Sequence, residues 1–84
     1  MRRYYFDIWS GDRVTRDDEG VECANDQAAC RAAAKALLDL AKDIVGETDL
    51  CELSIEVSDE TKKPVCRVTL QLEIEGLGQG AAHH

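Results

Sequence analysis

The sequence predicts an α+β domain: a two-layer ββαββ sandwich with one helix packed on a four-stranded, mainly antiparallel sheet. Three patterns predict it. Aromatic and β-branched residues dominate from Arg3 to Trp9, and apolar residues alternate with polar ones from Leu53 to Val57 and from Cys66 to Ile74. Between these runs, residues 26–45 are rich in alanine and carry a helical rather than an alternating period. Polar turn signals separate the segments at Ser10-Gly11-Asp12, at Asp17-Asp18-Glu19-Gly20 and at Asp59–Pro64.

The first strand places Tyr4, Phe6 and Ile8 on one face and Tyr5, Asp7 and Trp9 on the other. Gly11 suits a tight turn, because it accepts positive φ and its neighbours Ser10 and Asp12 can bond nearby amides. A second strand is expected from Arg13 to Cys23, broken at the acidic run by a bulge or second turn. There Asp17 caps the local backbone and Gly20 supplies the unusual angles.

Asn25 or Asp26 is a suitable N-cap for the helix, since its side-chain oxygen can accept from first-turn amides. On the helical period Cys30, Ala33, Leu37, Leu40, Ala41 and Ile44 form an apolar stripe. Arg31, Lys35, Asp39, Lys42 and Asp43 gather opposite. Gly46 fits the position just past the helix end. Glu47 to Leu50 form a linker, and two alternating strands follow. The first and last strands are the most apolar, so they are expected in the centre of the sheet. Residues 1–75 make one domain, and 76–84 a flexible tail. His83 and His84 have the form of a tag remnant and are left out of site reasoning.

Composition narrows the function. A chain of 84 residues buries roughly 60–65% of its unfolded surface, which allows one economical core. Seventeen acidic against ten basic residues give a net charge of -7, which disfavours direct binding to nucleic acid and suits a basic protein partner. The apolar stretch after Arg2-Arg3 is broken by Asp7, so neither a secretory nor a membrane segment is read, and the cytoplasm is the expected compartment. The four cysteines, Cys23, Cys30, Cys51 and Cys66, lack C-x-x-C spacing and are expected as buried free thiols, ahead of the disulfides their even number invites and of metal ligation.

Order and spacing carry a resemblance. Arg3-Tyr4-Tyr5-Phe6-Asp7, then Gly11, then Asp17-Asp18-Glu19-Gly20-Val21-Glu22, the alanine-rich helix and Ile55-Glu56-Val57-Ser58-Asp59-Glu60 together resemble an uncharacterised family of small bacterial proteins. The likeness runs from Arg3 to about Leu70. Gln71 to Glu75 prolong the last strand beyond it, and the cysteines stand outside its pattern. It implies a bacterial, cytoplasmic, stand-alone domain of unknown function and transfers no site residues. A looser likeness in layout links the chain to small antitoxins.

Catalytic chemistry has little to stand on. No histidine precedes the tail, so the cysteines and hydroxyls lack an activating base. The adjacent carboxylates of the acidic turn diverge and do not form a cation loop, so neither metal nor cofactor is expected. The chain reads as a non-catalytic protein-interaction or regulatory module. Two alternatives are an antitoxin-like or nucleic-acid-linked regulator and a metal or small-ligand binding domain. Tyr5, Asp7 and Trp9 are the candidate interaction residues, and Gly11, Asp17 and Gly20 the structural turn residues. Trp9 has two readings, an interface anchor or a cover for a neighbouring strand. Self-association through the open sheet face or a long edge strand is the further expectation.

Overall fold

The computed structural model describes residues 1–44 and 50–78. The side chains of Leu50 and Cys51, the expected helix cap at Gly46, most of the 47–50 linker and the tail beyond Gly78 lie outside the described residues. The elements run β1 (Arg2–Ser10), β2 (Arg13–Thr15), β3 (Val21–Cys23), α1 (Asp26–Ile44), β4 (Leu50–Ser58) and β5 (Pro64–Glu73). The sheet is antiparallel throughout, in the order β2-β1-β4-β5, with β3 also paired to β1.

The expected second strand is two strands on one edge of β1. β2 pairs with the end of β1 (Ile8 with Thr15, Ser10 with Arg13), and β3 pairs with its start (Arg2 with Cys23, Tyr4 with Val21). The break falls at the acidic run. Gly11 opens a two-residue hairpin at φ 64°, and Gly20 rejoins the chain to the sheet edge at φ 80°. Both positions need the left-handed region that glycine enters without penalty.

The expectation about strand order is half corrected. β1 is central, but its inner neighbour is β4, and β5 lies at the far edge. A short turn makes β4 and β5 a hairpin, so only one of them could also pair with β1. β4 is the one whose inward side chains, Leu53, Ile55 and Val57, are fully enclosed. β5 alternates as cleanly because the helix covers its inner face, and alternation does not distinguish a centre from an edge. It ends at Glu73, paired with Leu50, and Ile74 beyond it is 56% exposed rather than part of the core.

α1 begins where expected. The Ala28 N–H donates to Asn25 Oδ1 at 2.8 Å and the Ala29 N–H to the Asn25 carbonyl at 3.0 Å, so Asn25 is the cap. The helix buries Ala29, Ala33 and Leu37, with Cys30, Leu40, Ala41 and Ile44 half-buried beside them, over β4 and β5. Alanine dominates the contact because small side chains let a helix approach a sheet closely. Tyr4 is fully buried under the helix start, where its hydroxyl donates to Asp26 Oδ1 at 2.7 Å. That bond, with burial, raises the Tyr4 pKa above its ordinary value of 10.0.

The free-thiol expectation holds for Cys23, which is buried and unbonded, and fails for one pair. Cys30 of α1 and Cys66 of β5 form a disulfide. The two residues face each other across the layers, and their 36-residue separation hid that from any spacing rule. Among the described residues no helix is long and apolar enough to cross a membrane.

Candidate functional site: the open sheet face

All the candidate interaction residues lie on the sheet face opposite α1. Parity fixes this: Tyr4, Phe6 and Ile8 point to the helix, so Tyr5, Asp7 and Trp9 point away. Register then brings three neighbours to them, pairing Tyr5 with Ser58, Asp7 with Glu56 and Trp9 with Ser54. The next strand adds Arg67 beside Glu56 and Thr69 beside Ser54.

Two carboxylates, Asp7 and Glu56, therefore stand directly opposite each other, an arrangement that costs stability when unscreened. Each is met from its outer side by an arginine. Arg16 Nη1 approaches Asp7 Oδ2 at 3.4 Å, and Arg67 Nη2 donates to Glu56 Oε2 at 2.9 Å. The result is a row of charges across three strands and the turn, in the order Arg16, Asp7, Glu56, Arg67. Beside it Ser54 Oγ and Thr69 Oγ1 share a hydrogen bond at 3.2 Å.

Trp9 lies next to this row. It is 36% exposed, pairs across β1–β2 with the similarly exposed Val14, and shares a small hollow with Ser54 and Arg67. It partly covers its neighbours and leaves part of its surface exposed. Tyr5 is covered differently. Lys62 Nζ sits 3.4 Å from its ring centroid, a cation–π contact. Lys62 itself holds φ 70°, in the left-handed region that non-glycine residues enter at some cost.

The turn from Asp59 to Lys63 holds Lys62 there. Asp59 Oδ1 accepts from the Thr61 N–H, the Thr61 hydroxyl and the Lys63 N–H at 2.9, 2.6 and 3.0 Å. The Lys62 N–H donates to the Asp59 carbonyl at 2.9 Å. The Thr61 hydroxyl and the Lys63 amide hold the Asp59 carboxyl below its ordinary value.

Asp17 organises the other side of the site. Its Oδ1 accepts from Glu19 and Gly20 N–H at 3.1 and 2.9 Å, and its Oδ2 from Phe6 N–H at 3.1 Å. Partial burial pushes this carboxyl up, but the three backbone donors, aided by the charge of Lys62, outweigh it and leave the pKa lowered. Asp7 returns the bond, since its Oδ1 accepts from the Asp17 N–H at 3.0 Å. Asp7, read from the sequence as an interaction residue, has both oxygens engaged and its side chain only 17% exposed. It braces the turn. Asp17 and Gly20 take the structural roles expected of them, while Gly11 shapes the neighbouring hairpin.

Among the described residues no group of three or more His, Cys, Asp or Glu side chains is placed to hold a metal. The face carries an aromatic edge, paired charges and hydroxyls. Sequence reasoning missed Lys62, Arg16 and Arg67. Alternation alone could have found Arg67, because a hairpin turning at Asp59–Lys63 sets it against Glu56. No propensity signals a lysine with positive φ. No curated protein and no solved structure matches the chain. One family model does: it is described as a domain of unknown function, DUF6894, and matches residues 3–71. Arg3, Tyr5, Asp7, Trp9, Gly11, Asp17, Gly20, Glu56, Lys62 and Arg67 all fall inside that span, and the chain belongs to this family.

Proposed function

We propose that this chain is a small, non-catalytic protein-interaction or regulatory module of the bacterial cytoplasm that binds a basic protein partner through its open sheet face. The observation that carries the reading is Trp9, left one-third exposed, on a face that none of the described elements covers, beside the row Arg16, Asp7, Glu56, Arg67. Large rigid aromatics with a polar atom supply most of the energy at compact interfaces. Charges already fixed in a row offer partner groups defined positions at little ordering cost. The net charge of -7 favours encounter with a cationic surface.

A pull-down from the host compares the wild-type chain with Trp9→Ala and with Asp43→Ala, a change on the solvent side of α1. The partner so captured is then titrated against all three. Loss of affinity of about tenfold or more for Trp9→Ala, with Asp43→Ala unchanged, supports the reading. Equal affinity for all three, or no specific partner, contradicts it. The compartment is tested by trapping thiols in intact cells. Although Cys30 and Cys66 are placed to bond, a reducing cytosol keeps such pairs open, so both are expected to be alkylated there. Recovery of the intact disulfide contradicts a cytosolic location.

A further inference from the structure

We propose that the outer edge of β5 is a homodimerisation edge, joining two copies of the chain into one continuous antiparallel sheet with Leu70 on the twofold axis. This edge shares Arg67 with the hollow beside Trp9 and otherwise lies two strands from β1, and the inference does not rest on the open face binding a partner.

Among the described residues β5 is bonded on one side only, to β4. Its other edge offers unpaired backbone donors and acceptors over a long, regular strand. Proteins that keep such an edge monomeric interrupt it with proline, bulges or inward charges. Here the proline and the register shift are confined to one end, at Pro64 and Val65, and the run from Arg67 to Glu73 is regular.

The order of residues on that run is self-complementary. A twofold axis perpendicular to the sheet allows only registers that keep both helices on the same face. Centring the pair on Leu70 sets Arg67 against Glu73 of the second copy, twice by symmetry. It also sets Thr69 against Gln71, Val68 against Leu72, and Leu70 against itself. Opposite charges then meet on the open face and apolar groups meet under the helices. Neighbouring registers do worse. Centring on Thr69 leaves Glu73 opposite Val65, and centring on Gln71 moves the partner of Arg67 to Glu75, beyond the end of the strand.

The helix layer agrees. A groove along this edge is lined by Leu38, Ala41, Leu70 and Leu72, rimmed by Lys35 and Lys42. Leu38 is 55% exposed although it neighbours core residues, and a second copy would cover it. Charges of both signs stand along the edge: Lys35, Lys42 and Asp39 line the groove, and Arg67 and Glu73 lie on the strand.

Sedimentation equilibrium of the full chain from micromolar to millimolar concentration tests this. The wild type is expected to dimerise. Glu73→Arg, which faces Arg67 with a like charge, raises the dissociation constant about tenfold or more, and so does Arg67→Glu. The triple variant Glu56→Arg/Arg67→Glu/Glu73→Arg keeps an opposite-charge pair at positions 56 and 67 within each chain. It restores opposite charges across the axis and regains most of the affinity. Leu38→Glu, on an exposed helix position that the fold tolerates, also dissociates the dimer. A wild type that remains monomeric at millimolar concentration overturns the proposal. So does a dimer that Glu73→Arg and Leu38→Glu leave intact, or a triple variant no tighter than Glu73→Arg alone.

Discussion

Beside β1 a single carboxylate replaces a stretch of strand pairing. Where β2 has ended and β3 has not begun, the Phe6 amide has no strand opposite it, and Asp17 Oδ2 accepts its proton instead. Asparagine at this position keeps one acceptor oxygen for three donors, so Asp17→Asn is expected to destabilise the fold by about 1–3 kcal/mol. Urea denaturation at neutral pH measures it, and an unchanged midpoint contradicts the account. The pH dependence has a definite sign. Because the folded pKa is lowered below its ordinary 3.8, the contribution is whole above that value and is lost as pH falls through the depressed one. The wild type therefore loses stability on acidification below about pH 4 in a way that Asp17→Asn does not.

Gly20 belongs to the same scale. A Cβ there would lie 2.8 Å from Arg3 Cγ and 3.0 Å from the Tyr4 carbonyl, with φ already at 80°. Gly20→Ala thus meets both backbone strain and close contact, with an expected loss of about 1–3 kcal/mol. Thermal unfolding measures it. Gly11→Ala meets no atom within 4 Å, so it reports the conformational cost alone and should lose less.

Among the elements, the join between α1 and β5 carries the structural feature least visible in the sequence. The Cys30–Cys66 disulfide ties the helix layer to the edge strand across 36 residues. Closing a loop of that length stabilises a protein by roughly 3–4 kcal/mol on the chain-entropy model. Oxidised protein treated with dithiothreitol is accordingly expected to show a clearly lower melting temperature, and Cys30→Ala/Cys66→Ala to match the reduced form. Identical melting with and without reductant would show that the bond contributes nothing. The helix was legible in the sequence because its apolar stripe repeats at the helical period and Asn25 marks its start. The pairing of Cys30 with Cys66 was not, because it depends on which strand the helix crosses, and no local signal carries that.

At the scale of the whole molecule, the layers were legible and the order of strands was not. Parity along β1 sufficed to place Tyr5, Asp7 and Trp9 on the face away from the helix. It could not say that β4 sits inside β5, since Leu53, Ile55 and Val57 alternate no more strictly than Val68, Leu70 and Leu72. That order follows from which strand completes the sheet with β1. The charged row was half legible: Asp7 and Glu56 could be assigned to one face, but their neutralisation by Arg16 and Arg67 depends on the register. The sheet face opposite the helix carries this row and Trp9 together.

The most direct test of that surface is site-specific photocrosslinking in the host. A photoreactive phenylalanine derivative replaces Trp9 on the open face in one strain and Arg31 on the exposed side of the helix in another. Adducts to a discrete partner protein from position 9, with none from position 31, are the predicted result. Adducts from position 31 alone, or from neither position, would contradict the assignment of the open face as the binding surface.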